Sequence, residues 1–526
     1  MDEVTCGPDL GQVMARRASR RRTSVLVAGA VLFSTAPASV SARQAPPRVL
    51  ELTLEVMVDL ALSSSYRVRR LNLGIDRTRL YLSAQQARLR SRIDLEVSAP
   101  DFRSISENQW NSALGLNEIV HQNSRRMEAE LSIRQPVILF GYPTNGYLSL
   151  NNRVYRYAQI DEDGGRDVRY YNRAFVRYTQ PLFQPNELKN DLEEARLDLE
   201  DTELGFYDDV VEIIDDISED YLDLFEDAYG ELVNEAHVAN LEGAEAAVLQ
   251  LLQIDTSRTI EFGQIRVELA NAREQLHQSR SQFRLEATSL KTRLNIPEAD
   301  SITLDPVISI TPLPIDVETA TQFAFDLTPR MRQLDINYRE NEIRLDQTKG
   351  RGGMRIDVNL SYGREMQDPV FSAMWGQPTN TYTIGVDGRI PLWDWGERKY
   401  RIEASRVSLR QTELRIEEVE AQIRANVQSE IRNVSEFQAR ALAMEENLGL
   451  ATQLSQGSLA GYERGEITAV DLLQSFRREL DTAENLLDAY IGWRNSIRRL
   501  QVLTFYDFEQ GIPVLDRFGV ALAPPS

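Results

Sequence analysis

The sequence contains two copies of one design, and this internal repeat limits the folds that are open to the chain. Residues 91–98 match residues 354–361 at an offset of 263, and residues 180–183 match residues 390–393 at an offset of 210. The first copy therefore holds 263 minus 210, or 53, additional residues between these two points. Each copy has the predicted order helix, strands, long helix, reversal, long helix.

Long helices are predicted from the spacing of apolar side chains. Between residues 188 and 224 they recur every three or four positions, averaging 3.6, and residues 416–437 repeat this pattern. Such a period is typical of a nearly straight amphipathic helix. We expect residues 186 to about 262 to be mostly helical, which at about 1.5 Å per residue extends on the order of 100 Å. A rod of this length is unusual in a compact enzyme.

Other segments alternate between apolar and polar residues. Ile356, Val358 and Leu360 alternate with polar neighbours, as do Tyr382 and Ile384. This pattern is typical of a membrane β-barrel strand, which is apolar outside and polar inside. It also fits a half-buried strand of a soluble sheet.

Charged residues mark one face of these strands. Arg169, Arg173 and Arg177 share a face of the strand that ends near residue 181, and Asp387 and Arg389 alternate with apolar residues in the second copy. If this face lines a barrel lumen, these five residues lie in it, and this end of the barrel is basic.

The N-terminal residues have the features of an export signal. Five arginines at residues 16–22 precede a ten-residue apolar run at 24–33 and the small residues 40–42, which predicts a secretory signal peptide over residues 1–42. The apolar run is shorter than the roughly 20 residues of a membrane-spanning helix. No later segment has 18 consecutive apolar residues, so an integral protein would have to be a closed barrel.

Composition excludes several function classes. The net charge is -21, which argues against nucleic acid as a partner. The only cysteine, Cys6, precedes the predicted cleavage point, and His121, His237 and His277 are widely separated. We therefore expect no catalytic residue, no metal site and no cofactor. The acidic pairs within residues 208–227 are assigned to the solvent side of their helix, with an acidic channel lining as the alternative.

The repeat divides the chain into five parts. These are the signal peptide at 1–42, a first repeat at 43–305, a proline-rich linker at 306–314, a second repeat at 315–506 and a C-terminal tail at 507–526. The 53 additional residues fall at about 100–170 and predict an additional β-hairpin or a plug near the extracellular side. The acidic, glycine-containing run at 161–165 predicts a hairpin turn, since Asn172 stands where a calcium loop requires Glu.

Several motifs in duplicate resemble those of the TolC-like outer-membrane efflux proteins. They are found at residues 53–62, 181–183, 391–396 and 462–473, and the likeness spans roughly residues 50 to 506. It depends on the order of the motifs more than on any one of them. Pro181 and Pro391 are predicted to mark the junctions between strand and helix.

The resemblance implies a mainly α fold with β structure. Three subunits would share a 12-stranded β-barrel, four strands each, continued by a periplasmic α-barrel of twelve helices. The protein would lie in the outer membrane, surrounded by its lipid, and extend into the periplasm as a homotrimer. It would serve as the passive exit duct of a tripartite efflux pump for small molecules, with a periplasmic adaptor (membrane fusion) protein and an inner-membrane transporter as partners.

Two alternatives stay open at the level of sequence. One is the outer-membrane duct of a type I protein secretion system. The other, from a different class, is a periplasmic coiled-coil scaffold or adaptor, although such a protein has no need of strands with an apolar face. An exported enzyme would require a convergent polar pocket, which the sequence does not indicate.

The family closes its channel entrance with a Tyr, an Arg and two Asp residues. Tyr462 and Asp471 match two of these positions, whereas Ile467 and Gln474 replace the others. Gly465 interrupts the helical pattern and predicts the helix-to-helix reversal at this entrance. We hypothesise that Asp471 forms an anionic ring through the symmetry of the trimer. The alternative is a solvated Asp at a helix start.

The first copy has an entrance segment of its own in this interpretation. Residues 261–269 are aligned with the Gly465 segment, so that Glu268 becomes the counterpart of Asp471 and Ile260 the counterpart of Tyr462. Glu268 is therefore a fourth candidate residue of the entrance.

Overall fold

The computed structural model describes residues 49–111, 115–160, 166–253 and 255–519. The predicted signal peptide with Cys6, the predicted turn at 161–165 and the last seven residues of the predicted tail lie outside these described residues.

The first repeat contains two short helices, four long strands and a long helical hairpin. In chain order these are β1 (Val49–Glu51), α1 (Leu54–Ser64), α2 (Tyr66–Ala87), β2 (Arg92–Asn111), β3 (Leu116–Leu139), β4 (Tyr142–Ile160), β5 (Arg166–Leu182), α3 (Glu187–Leu252) and α4 (Thr259–Arg293).

The second repeat follows the same plan with two long strands. After β6 (Ser301–Thr303), which closes the first repeat and pairs with β1, the elements of the second repeat and the tail are α5 (Val317–Asp326), α6 (Arg330–Arg351), β7 (Arg355–Asp368), β8 (Thr379–Arg389), α7 (Glu397–Glu463), α8 (Ala469–Thr504), β9 (Tyr506–Asp507), β10 (Ile512–Pro513) and α9 (Val514–Arg517). Residues 304–316, which include the predicted linker, have no regular secondary structure.

The helices of the two repeats keep the offsets of the sequence. Helix α3 begins at Glu187 and α7 at Glu397, which is 397 minus 187, or 210. Helix α4 begins at Thr259 and α8 at Ala469, again 210 residues later. Helix α1 begins at Leu54, 263 residues before α5. The two halves are therefore the same structural unit.

The long strands form one antiparallel sheet in the order β2-β3-β4-β5-β7-β8. The offsets make β2 equivalent to β7 and β5 equivalent to β8. The 53 additional residues account for β3 and β4, which lie between β2 and β5 in the sheet. The resemblance implied four strands per subunit, and the structure has six because the insertion adds a hairpin to the same sheet.

The long helices pack as two hairpins that share a core. Helix α3 packs on α4, α7 packs on α8, and α3 contacts α8. Side chains such as Phe225 of α3 and Trp493 of α8 are almost completely buried between them. Of the helices in the described residues, none combines the length and the hydropathy needed to cross a membrane.

Helix α3 is shorter than the sequence predicts. It ends at Leu252, whereas the apolar period indicates a helix to about residue 262. Asp255 explains the difference, because its carboxylate accepts hydrogen bonds from the backbone and the hydroxyl of Ser257 and stabilises a 3-10 turn at Thr256–Arg258. The apolar period continues past this reversal into α4, which also has a buried face, so periodicity alone does not reveal the break.

The predicted C-terminal tail folds back on the first repeat as far as it is described. Val514 and Leu515 are buried in the same core as Met57 of α1. Arg517 pairs with Glu55 at 2.5 Å and with Asp507 at 2.5 Å. These contacts join the two ends of the folded chain.

Replacing Gly492 of α8 by Ala tests the close approach of the second hairpin. A Cβ atom at this position would lie 2.5 Å from the ring of Phe437 on α7, so we expect the variant to lose about 1–3 kcal/mol of stability through overpacking. Gly449 of α7 is the matched control, because its Cβ would meet nothing within 4 Å, and Gly449→Ala should gain up to about 1 kcal/mol of helix propensity. Thermal unfolding followed by helical circular dichroism measures both, and equal midpoints for the two variants would contradict this packing.

Candidate functional site

One face of the six-stranded sheet is apolar and exposed. Each strand contributes alternate side chains to it, and one example per strand, with exposures between 40% and 77%, is Leu95, Leu131, Leu150, Val176, Leu360 and Ile384. Cross-strand pairing joins these positions, as in Leu95 with Leu131 and Leu360 with Ile384. A bare apolar band of this extent on a soluble protein marks a surface that contacts another apolar phase.

The opposite face of the sheet is polar and crowded with paired charges. Arg153 of β4 bonds Glu130 at 2.5 Å and Glu128 at 2.9 Å, both on β3. Arg126 bonds Glu128 at 2.6 Å and lies over the ring of Tyr155, 4.5 Å from its centroid. The additional hairpin therefore places a network of alternating charges on this face.

The arginines predicted for a lumen lie on this polar face. Arg169 pairs with Asp167 at 2.9 Å, and Arg173 lies 3.8 Å from Glu365 of β7. Arg177 has its guanidinium over Phe175, 5.0 Å from the ring centroid. The face is less basic than the sequence of β5 alone predicts, because acids of its own strand and of β7 lie beside these arginines.

Asp387 and Arg389 of β8 share this polar face. Asn359 of β7 donates a hydrogen bond of 2.8 Å to the Asp387 carboxylate, and Asp387 and Asp357 are cross-strand partners. Arg389 is paired in register with Arg355, whose guanidinium bonds Asp357 at 2.6 Å.

Aromatic and aliphatic side chains are exposed at the end of the sheet from which the chain continues into the helices. They are Phe140, Tyr142, Phe183, Leu392, Trp393 and Trp395, all at least 66% exposed. Phe140 and Tyr142 flank the turn between β3 and β4, and the others follow β5 or β8 directly. Aromatic girdles of this kind border the apolar band of membrane barrels at the lipid headgroups.

The predicted junction prolines stand at this end of the sheet. Pro181 pairs within β5, and the strand ends one residue later, whereas Pro391 follows the end of β8. Asn186 caps α3 by accepting a hydrogen bond from the backbone of Lys189 at 3.1 Å. Asp394 accepts bonds from the backbone of Gly396 and Arg398 and starts α7.

The second candidate site is the reversal between α7 and α8. Helix α7 ends at Glu463 and α8 begins at Ala469, so the chain reverses at the Gly465 segment as predicted from the sequence. Gly465 has a φ of 75°, a left-handed conformation that disfavours residues with a side chain, and its N–H donates to the carbonyl of Tyr462 at 2.9 Å.

Tyr462 joins this reversal to that of the first repeat. Its side chain is completely buried, and its hydroxyl donates a hydrogen bond of 2.8 Å to Glu261 of α4. Arg258 bonds Glu261 at 3.2 Å and lies 5.9 Å from the centroid of the Tyr462 ring. Burial, and next the bond to Glu261, raise the pKa of Tyr462 to about 12, so the hydroxyl keeps its proton and donates at neutral pH.

Asp471 begins α8 and is exposed. Its carboxylate accepts from the Thr468 hydroxyl at 2.8 Å and from the Thr468 N–H at 3.3 Å, while the Thr468 hydroxyl accepts from the Asp471 N–H. This is a capping box, so the helix-start role holds for Asp471 in the subunit. The exposed carboxylate also contributes negative charge at this reversal. An anionic ring would require three copies of Asp471 close together and therefore depends on how the subunits assemble.

Glu268 does not lie at a reversal. It belongs to α4, nine residues after the helix begins, and pairs with Arg477 of α8 at 2.7 Å. The constant offset of 210 between the helical hairpins makes Glu261 the counterpart of Asp471, and Leu252 the counterpart of Tyr462. The alignment of Glu268 with Asp471 and of Ile260 with Tyr462 is therefore wrong, because Gly263 lies inside a helix and not in a turn.

The acids of α3 are not simply a solvated face. Several of them form ion pairs with arginines of other helices, among them Asp215 with Arg498, Asp216 with Arg67, and Asp220 with Arg293. Asp220 is only 7% exposed. Burial raises the pKa of Asp208 to about 6, although Gln333 of α6 donates a hydrogen bond to it. The solvent-side assignment is wrong for Asp215 and Asp220, because α3 is covered by several helices.

No group of His, Cys, Asp and Glu within the described residues is arranged to hold a metal ion. His237 lies half-buried between α3 and α8, with Glu479 and Asn240 beside it, and His277 belongs to α4.

Comparison with known proteins identifies the fold. The family model described as "Outer membrane efflux protein" matches residues 356–504. The outer-membrane channel OprN is 14% identical, covers 86% of this chain and 89% of its own, and superposes with a TM-score of 0.63. CusC, described in terms of folding and transmembrane channel formation, is 13% identical over 88% of this chain and 95% of its own, at a TM-score of 0.62.

A third similar structure is the outer membrane protein VceC from Vibrio cholerae, 12% identical over 86% of this chain and 96% of its own, at a TM-score of 0.59. A search of curated protein sequences found no match. At these identities the likeness shows the fold, which confirms the expected mainly helical subunit with a strand region and a long helical hairpin in each repeat. The number of strands differs, with six in place of four.

Removing the Tyr462 hydroxyl tests the contact between the two reversals. Tyr462→Phe leaves the ring in place but deletes the bond to Glu261, so we expect the contact to weaken by about 1–3 kcal/mol, as for hydrogen bonds to a charged group. Amide hydrogen exchange at residues 255–262 and 461–468 should become faster. Tyr81→Phe, at an exposed position of α2, is the control and should leave these residues unchanged. Unaltered exchange in Tyr462→Phe would contradict a stabilising contact.

Proposed function

We propose that this chain, which has the fold of the TolC-like outer-membrane efflux channels, is the outer-membrane channel subunit of a tripartite efflux pump. It would act as a passive exit duct for small molecules, driven by an inner-membrane transporter that it reaches through a periplasmic adaptor. The observation that carries the proposal is the sheet with one bare apolar face and one polar, ion-paired face.

The two faces suit a wall between lipid and water. The apolar face, here called the outer face, suits contact with the hydrocarbon layer of a membrane. The polar face, here called the inner face, carries charges that require water or paired partners. The exposed aromatic residues at the strand-to-helix junctions fit the headgroup level of the membrane. A soluble periplasmic scaffold would leave the apolar face without a partner.

Assembly into a homotrimer is supported by a difference between equivalent helices. Helix α6 contacts α7 of its own repeat and α3 of the first repeat. Its Ile336 and Ile343 are 3% and 4% exposed, but their equivalents in α2, Leu73 and Leu80, are 67% and 70% exposed. Helix α2 packs on α3 as α6 packs on α7, so what α2 lacks is a helix on its other side.

A second copy of the chain supplies that helix. Helix α7 is the repeat equivalent of α3, and it carries the exposed Val407 and Leu414 one heptad apart. The equivalents of these residues in α3, Leu197 and Leu204, are partly covered. The contact between the two repeats therefore serves as the template for a contact between α7 of one subunit and α2 of the next. The resemblance to the TolC-like proteins sets the number of copies at three.

The reversals at the far end of the helical hairpins are the proposed entrance. Tyr462, Glu261 and Arg258 hold the two hairpins of one subunit together there. Opening the entrance would have to separate these hairpins, and the Tyr462 bond opposes this. Ile467 offers no charge for a further polar bond, so this entrance depends on fewer polar contacts than the family motif implies.

Membrane fractionation tests the proposal. In a Gram-negative host we expect the protein in the outer membrane fraction, resistant to carbonate and with the mass of a trimer in detergent. Ile384→Arg places a charge on the outer face and should cost about 2–4 kcal/mol and reduce insertion, whereas Thr383→Arg on the inner face should insert normally. A protein released by carbonate, or an equal loss for both variants, would reject the channel.

Neutralising Asp471 tests the proposed anionic ring. Asp471→Asn keeps an acceptor for the Thr468 hydroxyl, so the cap persists while three charges leave the entrance of a trimer. We expect higher conductance or weaker block by divalent cations in planar bilayers. Asp76→Asn, on α2 and far along the chain from the reversal, is the charge-matched control. Unchanged conductance and block would leave Asp471 as a helix cap only.

A further inference from the structure

The β3–β4 hairpin changes the size of the proposed channel. We infer that it is part of the barrel wall, so that each subunit contributes six strands and a trimer closes an 18-stranded barrel through pairing of β8 with β2 of the next copy. The inference rests on the proposed channel function and concerns the width of its outlet.

The hairpin has the register and the alternation of a wall. Strand β3 is paired with β2 from Arg92↔Arg134 onward, and β4 is paired with β5 from Tyr147↔Thr179 to Ile160↔Arg166. Leu131, Leu148 and Leu150 continue the apolar band on the outer face, where the amide of Asn152 donates a hydrogen bond to Asn172 of β5. The ion pairs of Arg153 continue the charged network on the inner face. A plug inside a lumen would be in contact with water or polar atoms on both faces and would have no need of this alternation.

The sheet cannot close on itself. Within the part of the chain that the structure describes, strands β2 and β8 each have a partner on one side only, and six strands are fewer than the eight of the smallest membrane barrels. Unpaired backbone groups find no hydrogen-bond partner in hydrocarbon, so these edges require another strand. Because six is an even number, β8 of one copy is antiparallel to β2 of the next, as an up-and-down barrel requires.

The width of the sheet matches the width of the helical layer below it. Helices α2, α3, α6 and α7 connect directly to the strands and, at about 8–10 Å between axes, occupy an arc of about 32–40 Å per subunit. Six strands spaced about 4.8 Å and tilted by about 40° occupy about 38 Å, whereas four strands occupy only about 25 Å. Six strands therefore continue the helical layer without narrowing.

Side-chain direction and tilt select the register of the new pair. Val97 of β2 and Val386 of β8 are both outward, so they can be partners. The line of cross-strand partners through Ile384 crosses the subunit at Leu360, Tyr178, Leu148 and Gln135. Continued by one residue beyond the Arg92↔Arg134 pair, it meets residue 91, just before β2 begins. With Val97 opposite Val386, the same line enters the next subunit at residue 99. This shift of 99 minus 91, or eight residues over six strands, corresponds to a tilt of about 43°, within the 35–45° of membrane barrels.

The consequence for transport is a wide outlet. Eighteen strands at this tilt give about 38 Å between opposite backbone walls, compared with about 25 Å for twelve strands. The barrel would then impose no size limit on solutes that pass the helical entrance, and selection by size would occur at the reversals.

Disulfide trapping tests the junction between subunits. The predicted mature chain has no cysteine, so the double variant Val97→Cys/Val386→Cys reports only the new contact. Oxidation should give covalent dimers and trimers on denaturing gels, and Val97→Cys with Ile384→Cys or Gly388→Cys locates the register. Val97→Cys/Asp387→Cys is the control, because these side chains point to opposite faces and should not react.

Spin labels on the hairpin test whether it belongs to the wall. Labels at Leu131 and Leu150 should collide frequently with oxygen, which dissolves in the lipid. Labels at Ser132 and Ser149, on the inner face, should collide frequently with a water-soluble nickel complex. Trimers with lipid-exposed labels at 131 and 150 support the inference. Water-exposed labels at these two positions, or covalent species no larger than dimers, overturn it but leave a narrower channel possible. A protein absent from the membrane would instead reject the proposed function.

Discussion

Backbone hydrogen bonding at the edges of the sheet is the constraint on which the account depends. A strand in a hydrocarbon layer has no water to bond its free N–H and C=O groups, so each edge must find another strand. The six-stranded sheet has an apolar outer face that suits lipid and two edges that do not. In the proposed channel both conditions would be met, because copies of the chain close a ring. The exposed Leu73 and Leu80 of α2 and the exposed Val407 and Leu414 of α7 fit the same arrangement of neighbours.

In the proposed channel, the internal repeat would let one chain build such a ring. Within the subunit, α6 packs against α3 and β7 pairs with β5 at the junction of the repeats. A second junction, between subunits, can reuse these contacts because α2 and β2 are equivalent to α6 and β7. The insertion of β3 and β4 enlarges the sheet of one repeat without disturbing either junction. The ion pair of Arg153 with Glu130 joins β4 to β3. The stacked rings of Tyr155 and Tyr171, 4.2 Å apart, join β4 to β5.

Much of this fold could be predicted from the sequence, since two constant offsets gave the order and equivalence of the elements. The period of apolar residues predicted α3 and α7 but not the end of α3, which depends on the local bonds of Asp255. Glycine is not a marker of the first reversal, which has Asp255 where the second has Gly465, so the equivalence of Gly263 with Gly465 that leads to Glu268 is wrong. Applying the offset of 210 without a gap would have selected Glu261. The pairing of Asp215 with Arg498 depends on tertiary packing, which no local pattern contains.

Amide hydrogen exchange of the edge strands in lipid bilayers tests whether these strands close a barrel. If β2 and β8 pair with each other across subunits, the N–H groups of residues 93–98 and 380–388 should exchange as slowly as those of the central strand β5. In β2 and β8, half of the N–H groups point away from the neighbouring strand of the same subunit. If these groups exchange fast while β5 is protected, the edges are unpaired and the barrel is not closed.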